Sequence, residues 1–169
     1  MARIDDESPA ARREPNRVVI EREATMMDRP TRLQHARTIA LPTFVDDRGV
    51  LTAAEGGQDI PFEVRRIFYV YGIKPPFERG GHAHPRTEQL LVAIAGRLKV
   101  DLSDGVEWRT VELDDPARGL YIPALIWARL YDFSAGAVCL AAASTHYDNA
   151  TVIRDWNAYL RAGRGEWAR

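Results

Sequence analysis

From about residue 36 the chain breaks into short apolar runs separated by turn residues, and this texture restricts the fold more than any other feature. The runs cover 37–41, 50–52, 64–71, 89–95, 97–102, 108–113, 119–122, 127–133 and 137–143, and that over 64–71 is rich in β-branched and aromatic residues. Asp46-Asp47-Arg48-Gly49 has turn composition, and Ser103-Asp104-Gly105 is a strong hairpin signal. Residues 72–81, which include Pro75-Pro76, read as a loop. Short runs at this spacing predict antiparallel strands closing a sandwich or barrel, an all-β fold. Only the end looks helical: the pattern predicts a helix over 153–161, stopped by Gly163.

Residues 1 to about 35 differ. They carry dense mixed charge with Pro9, Pro15 and Pro30, and no sustained apolar periodicity. They read as an N-terminal extension, flexible or docking on a partner subunit, ahead of one domain over 36–169. Val18-Val19-Ile20 and Met26-Met27 are its docking pieces. A chain of 169 residues can bury a sizeable core. A formal net charge of -1 gives no reason for a nucleic-acid or anionic-membrane partner. No apolar run is long enough to span a bilayer, and the N-terminus lacks the apolar stretch of a secretory signal. The single cysteine, Cys139, excludes an internal disulfide framework and reads as a buried strand thiol. These features predict a cytoplasmic protein.

Chemistry concentrates in Arg79-Gly80-Gly81-His82-Ala83-His84, which holds two of the chain's 4 histidines. On a strand, residues two apart share a face, so both imidazoles point the same way. Imidazole titrates near physiological pH and also binds metals, so a proton-transfer site and a metal site are both open at this point. A histidine near neutral pKa removes a proton next to a ketone and returns it elsewhere. Arg79 stands beside the pair to hold a phosphate or a developing enolate.

The spacing of His82, His84, Glu88 and Gly96 resembles the first motif of the cupin superfamily, a small β-barrel. In metal-binding cupins the two histidines and the glutamate are ligands, and a second motif adds another histidine. Here Ala128 follows Trp127 where a completing histidine would stand, and His35 and His146 lie in poor contexts. Two histidines and a carboxylate still leave a three-ligand iron site open.

The ordered pieces resemble something narrower, the dTDP-sugar 3,4-ketoisomerases, also called WxcM-like. They are Asp47-Arg48-Gly49-x-Leu51, Ile60-Pro61-Phe62, Arg66 with its aromatic strand, Arg79-Gly80-x-His82-Ala83-His84 and Gln89-x-Leu91. Asp104-Gly105, Gly119-Leu120-Tyr121-Ile122-Pro123, Trp127, Asp132-Phe133-Ser134, Ala143-Ser144, Tyr147 and Ile153-Arg154-Asp155 continue the series. The resemblance implies a cupin-type antiparallel β-barrel, a jelly roll with a short C-terminal helix. It implies a homodimer and movement of a keto group from C4 to C3 of a dTDP-linked 4-keto-6-deoxy sugar through an enediol. It implies neither metal nor organic cofactor. His82 is then the base and His84 its helper. Arg66 and Arg79 are candidates for the pyrophosphate or the oxyanion. Gln89 belongs to the matched set, and Glu88 is read as a carboxylate that orients a histidine.

Three positions depart from the family pattern. Phe68 stands where a tyrosine is common, so Tyr69 or Tyr71 would have to supply that hydroxyl. Alternation, however, puts Phe68 on the face of Arg66, and Tyr69 with Tyr71 on the other. Ala128 replaces a histidine, and Pro85 replaces a lysine and must sit at a strand edge or bulge. Tyr121, Trp127, Tyr131 and Tyr147 are candidates to line a thymine or sugar pocket. Arg154 and Asp155 read as flanking the terminal helix. A metal-dependent cupin of the dioxygenase type, a non-catalytic sugar-nucleotide binder and an epimerase remain the rival readings.

Overall fold

The computed structural model describes residues 32–162. After a short 3-10 turn (Arg32–His35) come β1 (Arg37–Ala40), β2 (Thr43–Asp46), β3 (Gly49–Thr52), β4 (Arg66–Tyr71) and β5 (Arg79–Ala83). Then follow β6 (Gln89–Ala95), β7 (Leu98–Ser103), β8 (Trp108–Leu113), β9 (Arg118–Ile122), β10 (Trp127–Tyr131) and β11 (Val138–Ala143). A second 3-10 turn (Asn149–Thr151) leads to a short helix, α1 (Trp156–Arg161). The pieces proposed to dock in the N-terminal extension, and Gly163, lie outside the described residues. No helix among the described residues is long and apolar enough to cross a membrane.

Every strand pair among the described residues is antiparallel. The strands form a five-stranded sheet in the order β1-β9-β6-β11-β4, a four-stranded sheet in the order β5-β10-β7-β8, and a separate ribbon of β2 and β3. The two larger sheets share one core. Leu91, Leu120 and Ala141 come from the first sheet, and Val100, Leu102 and Leu130 from the second. Among the described residues no ladder joins β4 to β5, so the barrel has a seam beside β5.

β6 and β9 are apolar on both faces because both faces are covered. On the outer face of the five-stranded sheet, Leu90, Val92 and Tyr121 pack under Ile60 and Phe62 of the connection before β4. On the outer face of the four-stranded sheet, Ala83 and Trp127 pack under Ile153 and Tyr159. Trp156 of α1 stacks on Trp108, with ring centroids 5.2 Å apart, and meets Trp127 edge-on at 5.1 Å. The Tyr159 hydroxyl lies 2.6 Å from the Ser103 carbonyl oxygen and 3.1 Å from that of Leu125.

Two element boundaries differ from the sequence reading. The expected loop over 72–81 ends early, because β5 already begins at Arg79. The expected helix over 153–161 starts at Trp156. Asp155 is its N-cap, accepting from the Ala158 N–H at 2.7 Å. Ile153 is instead extended and bridges Ala83.

Candidate active site

His82 pairs across the ladder with Ala128, a residue of the shared core, so His82 and His84 look into the barrel. Their rings meet edge to face, with centroids 4.8 Å apart and planes at 88°. The strand that carries His82 and leads into His84 is bulged at its glycines. Gly80 and Gly81 have φ of 79° and 68°, and a Cβ on Gly80 would lie 2.6 Å from the Ala128 carbonyl oxygen. Only glycine fits there. The extra residue sets Arg79 opposite Leu130, on the face of His82, with its side chain exposed. Beyond the strand, the Leu125 N–H donates to the His84 carbonyl at 2.8 Å. Leu125 itself has φ 59°, a strained value for a leucine.

Arg66 enters from β4. It pairs with Ala143, which pairs with Gln89, so Arg66 and Gln89 stand at one level of the five-stranded sheet. Alternation with Leu91 and Ala93 of the core turns Gln89 inward. The Arg66 guanidinium lies between the rings of Phe68, at 5.2 Å, and Tyr147, at 5.1 Å. Its Nε and Nη1 atoms are buried and have no hydrogen-bond partner among the described residues. Buried guanidinium nitrogens without a hydrogen-bond partner are costly, and such a site fits an anionic ligand.

Electrostatics keep the histidines neutral. Burial first, then the charges of His82, Arg66 and Arg154, push His84 down to about 4. Burial also lowers His82. Arg154 adds to that, while a backbone hydrogen bond at Gly80 opposes it. Two neutral imidazoles in contact can accept and relay protons at neutral pH.

The other residues expected at the site lie elsewhere. Tyr69 and Tyr71 are exposed on the outer side of β4, while Phe68 faces inward beside Arg66. Trp127 packs in the outer cluster under α1. The Tyr121 hydroxyl donates to Glu88 on the outer face of the five-stranded sheet. Burial, then the Glu88 carboxylate, raises Tyr121 to about 12. Glu88 therefore engages a tyrosine rather than a histidine, and Ala128 adds no donor opposite His82. Among the described residues no group of three His, Cys, Asp or Glu side chains converges as a metal site. Tyr131 lies outside the barrel as well, its hydroxyl 3.1 Å from Asp101 Oδ1.

Two residues absent from the expected set join the site. Arg154 adds positive charge at both histidines. Asn149 Oδ1 accepts from Arg154 Nη2 at 2.8 Å and from the Tyr147 hydroxyl at 3.0 Å. The signal for Arg154 was present in the sequence. Asp155 is a better N-cap than helix-interior residue, which leaves Ile153 and Arg154 as extended chain.

A family model described as FdtA: WxcM-like, C-terminal, matches residues 34–164. The chain belongs to this FdtA, WxcM-like family. It is 37% identical over 125 residues to TDP-4-oxo-6-deoxy-alpha-D-glucose-3,4-oxoisomerase of Aneurinibacillus thermoaerophilus, covering 74% of this chain and 90% of that one. Among solved structures, a 3,4-ketoisomerase from Helicobacter canadensis is 37% identical with a TM-score of 0.74, covering 76% of this chain and 97% of that one. A mutant of the 3,4-ketoisomerase QdtA from Thermoanaerobacterium thermosaccharolyticum was solved in complex with TDP-4-keto-6-deoxyglucose. It is 33% identical with a TM-score of 0.75, covering 79% of this chain and 97% of that one. FdtA-family membership accounts for the ordered pieces along the chain, from the Asp47-Arg48-Gly49 turn to Asp155.

Proposed function

We propose that this chain is a 3,4-ketoisomerase of a dTDP-linked 4-keto-6-deoxyhexose, working in deoxysugar biosynthesis. The observation that carries the reading is the edge-to-face histidine pair on the inner face, together with the Arg66 guanidinium, whose buried Nε and Nη1 have no hydrogen-bond partner among the described residues. The named activities of the relatives supply the substrate class.

The reaction is proton movement alone. His82 takes the C3 hydrogen as a proton. The electron pair of that bond forms the C3–C4 double bond, and the C4 carbonyl oxygen becomes the enediolate oxygen, which is then protonated. The O3 hydroxyl next gives up its proton, C3=O forms, and C4 takes a proton. Two protons leave carbon and oxygen and two return, so no oxidant or reductant is consumed. His84 relays protons between the oxygens and solvent. Arg66, with Arg79 at the rim, anchors the diphosphate, and Gln89 hydrogen-bonds the sugar.

Replacing His82 by Asn tests the reading. Loss of general base catalysis lowers turnover about 10²–10⁴-fold. An H82N variant that folds and still isomerises dTDP-4-keto-6-deoxyglucose at the wild-type rate contradicts it.

The working form is a homodimer. Phe44, Val45, Val50 and Leu51 are exposed on the β2–β3 ribbon, and Ile67, Tyr69 and Tyr71 on β4, an edge strand. An unpaired edge strand with an apolar outer face, and a separate exposed apolar ribbon, are templates for pairing between copies. We assign the protein to the cytoplasm, the compartment expected for biosynthesis of a dTDP-linked sugar.

A further inference from the structure

We propose that Arg154 is a catalytic residue of this isomerisation: its guanidinium binds the enediolate oxygen that forms as His82 takes the C3 proton, and Asn149 holds it in place. The inference rests on the isomerase reading and extends it to a residue outside the sheets.

The register decides where Arg154 stands. Ala83 and Ile153 exchange two backbone hydrogen bonds, each 2.9 Å, so the segment at 153 continues the four-stranded sheet beyond β5 along the seam. In an antiparallel pair the next residues in register are His82 with Arg154 and His84 with Val152. They form the close, non-hydrogen-bonded pairs that flank an exchanged pair. Ala83 and Ile153 both pack in the outer cluster, so Arg154 and Val152 share the inner face with the histidines. Its exposed side chain leaves the guanidinium accessible to a ligand.

The charge pattern selects its task. Among the described residues no carboxylate pairs with Arg154, and Asp155 caps α1 instead. Asn149 supplies only neutral oxygens, its Oδ1 at 2.8 Å and its carbonyl at 3.5 Å. The same Oδ1 fixes the Tyr147 hydroxyl, whose ring packs on Arg66. One amide thus ties together both cations of the site. Arg66 acts on His84, whereas Arg154 acts on both histidines and stands next to His82. Negative charge that appears when His82 withdraws a proton therefore meets Arg154 first. A fixed donor aimed at a developing oxyanion is worth about 10²–10³ in turnover.

The test uses the full chain, dTDP-4-keto-6-deoxyglucose as substrate and dTDP as the ground-state probe. Arg154→Gln is expected to lower kcat about 100-fold. Its affinity for dTDP stays within about threefold of wild type. Arg154→Lys, which keeps the charge, recovers part of the rate and stands in if the Gln variant fails to fold. Asn149→Ala, a change at a positioning residue, lowers kcat without raising KM. The charged or titratable groups on the inner face around His82 are His84, Arg154 and Arg79, with Arg66 acting on His84. Removing the Arg154 charge therefore moves the acid limb of kcat/KM to higher pH. Turnover by Arg154→Gln within about threefold of wild type overturns the assignment. So does lost dTDP affinity with an intact kcat, which would make Arg154 a diphosphate anchor. A wild-type chain without isomerase activity overturns the reaction itself, a result read on a different protein.

Discussion

His84 is the residue whose titration reports most on the site. Its pKa falls from an ordinary 6.5 to about 4, so the unfolded chain binds more protons than the folded one between those values. The stability that neutral burial permits is complete above pH 6.5 and is lost as pH falls through about 4. Thermal unfolding across that window should show a steep acid-side loss in wild type and a shallower one in an H84Q variant. Burial also lowers His82, the base, so kcat/KM should hold its plateau below the usual histidine range. Arg66 separates stability from function. Its buried, unpartnered atoms cost stability in the free protein, so R66M should unfold at or above the wild-type temperature. Calorimetry with dTDP should show affinity lowered by at least about tenfold, the loss of a charge-assisted phosphate contact.

At the scale of elements, β5 is the strand on which the site depends. A methyl group at Gly80 meets the Ala128 carbonyl oxygen and forces a left-handed backbone on a residue with a side chain. G80A should cost about 1–3 kcal/mol in urea unfolding, and it should lower turnover because His82 shifts with the bulge. Tyr159 anchors the helix that covers the outer face. Y159F removes the one hydroxyl donor shared by the Ser103 and Leu125 carbonyls and should cost about 1–3 kcal/mol with little change in KM. Period-two alternation made the inward histidines and the inward Arg66–Phe68 pair legible from sequence. The same rule cannot orient Tyr121 or Trp127, because β9 and β10 are buried on both faces and apolar type no longer tells inside from outside. Gly80-Gly81 read as loop because glycine marks turns, yet here it marks a bulge inside a strand. Arg154 was hidden by a helix start placed three residues early.

At the scale of the molecule, the antiparallel all-β architecture was legible because turn signals recur along the whole domain. The seam between β4 and β5, across which the Arg66 charge acts on His84, was not, because it depends on which strands fail to pair. The β2–β3 ribbon and the outer side of β4 predict a dimer. Sedimentation should show two copies for wild type, and a charge at Ile67, as in I67D, should shift the species toward monomer. The central claim is that the inner histidine pair moves a sugar carbonyl. The direct measurement is NMR of dTDP-4-keto-6-deoxyglucose incubated with the full chain in deuterated water. The account predicts a product with its carbonyl at C3 and deuterium at C4 from wild type, and unchanged substrate from H82N. A carbonyl that stays at C4 with wild type, or that moves equally fast with H82N, contradicts it.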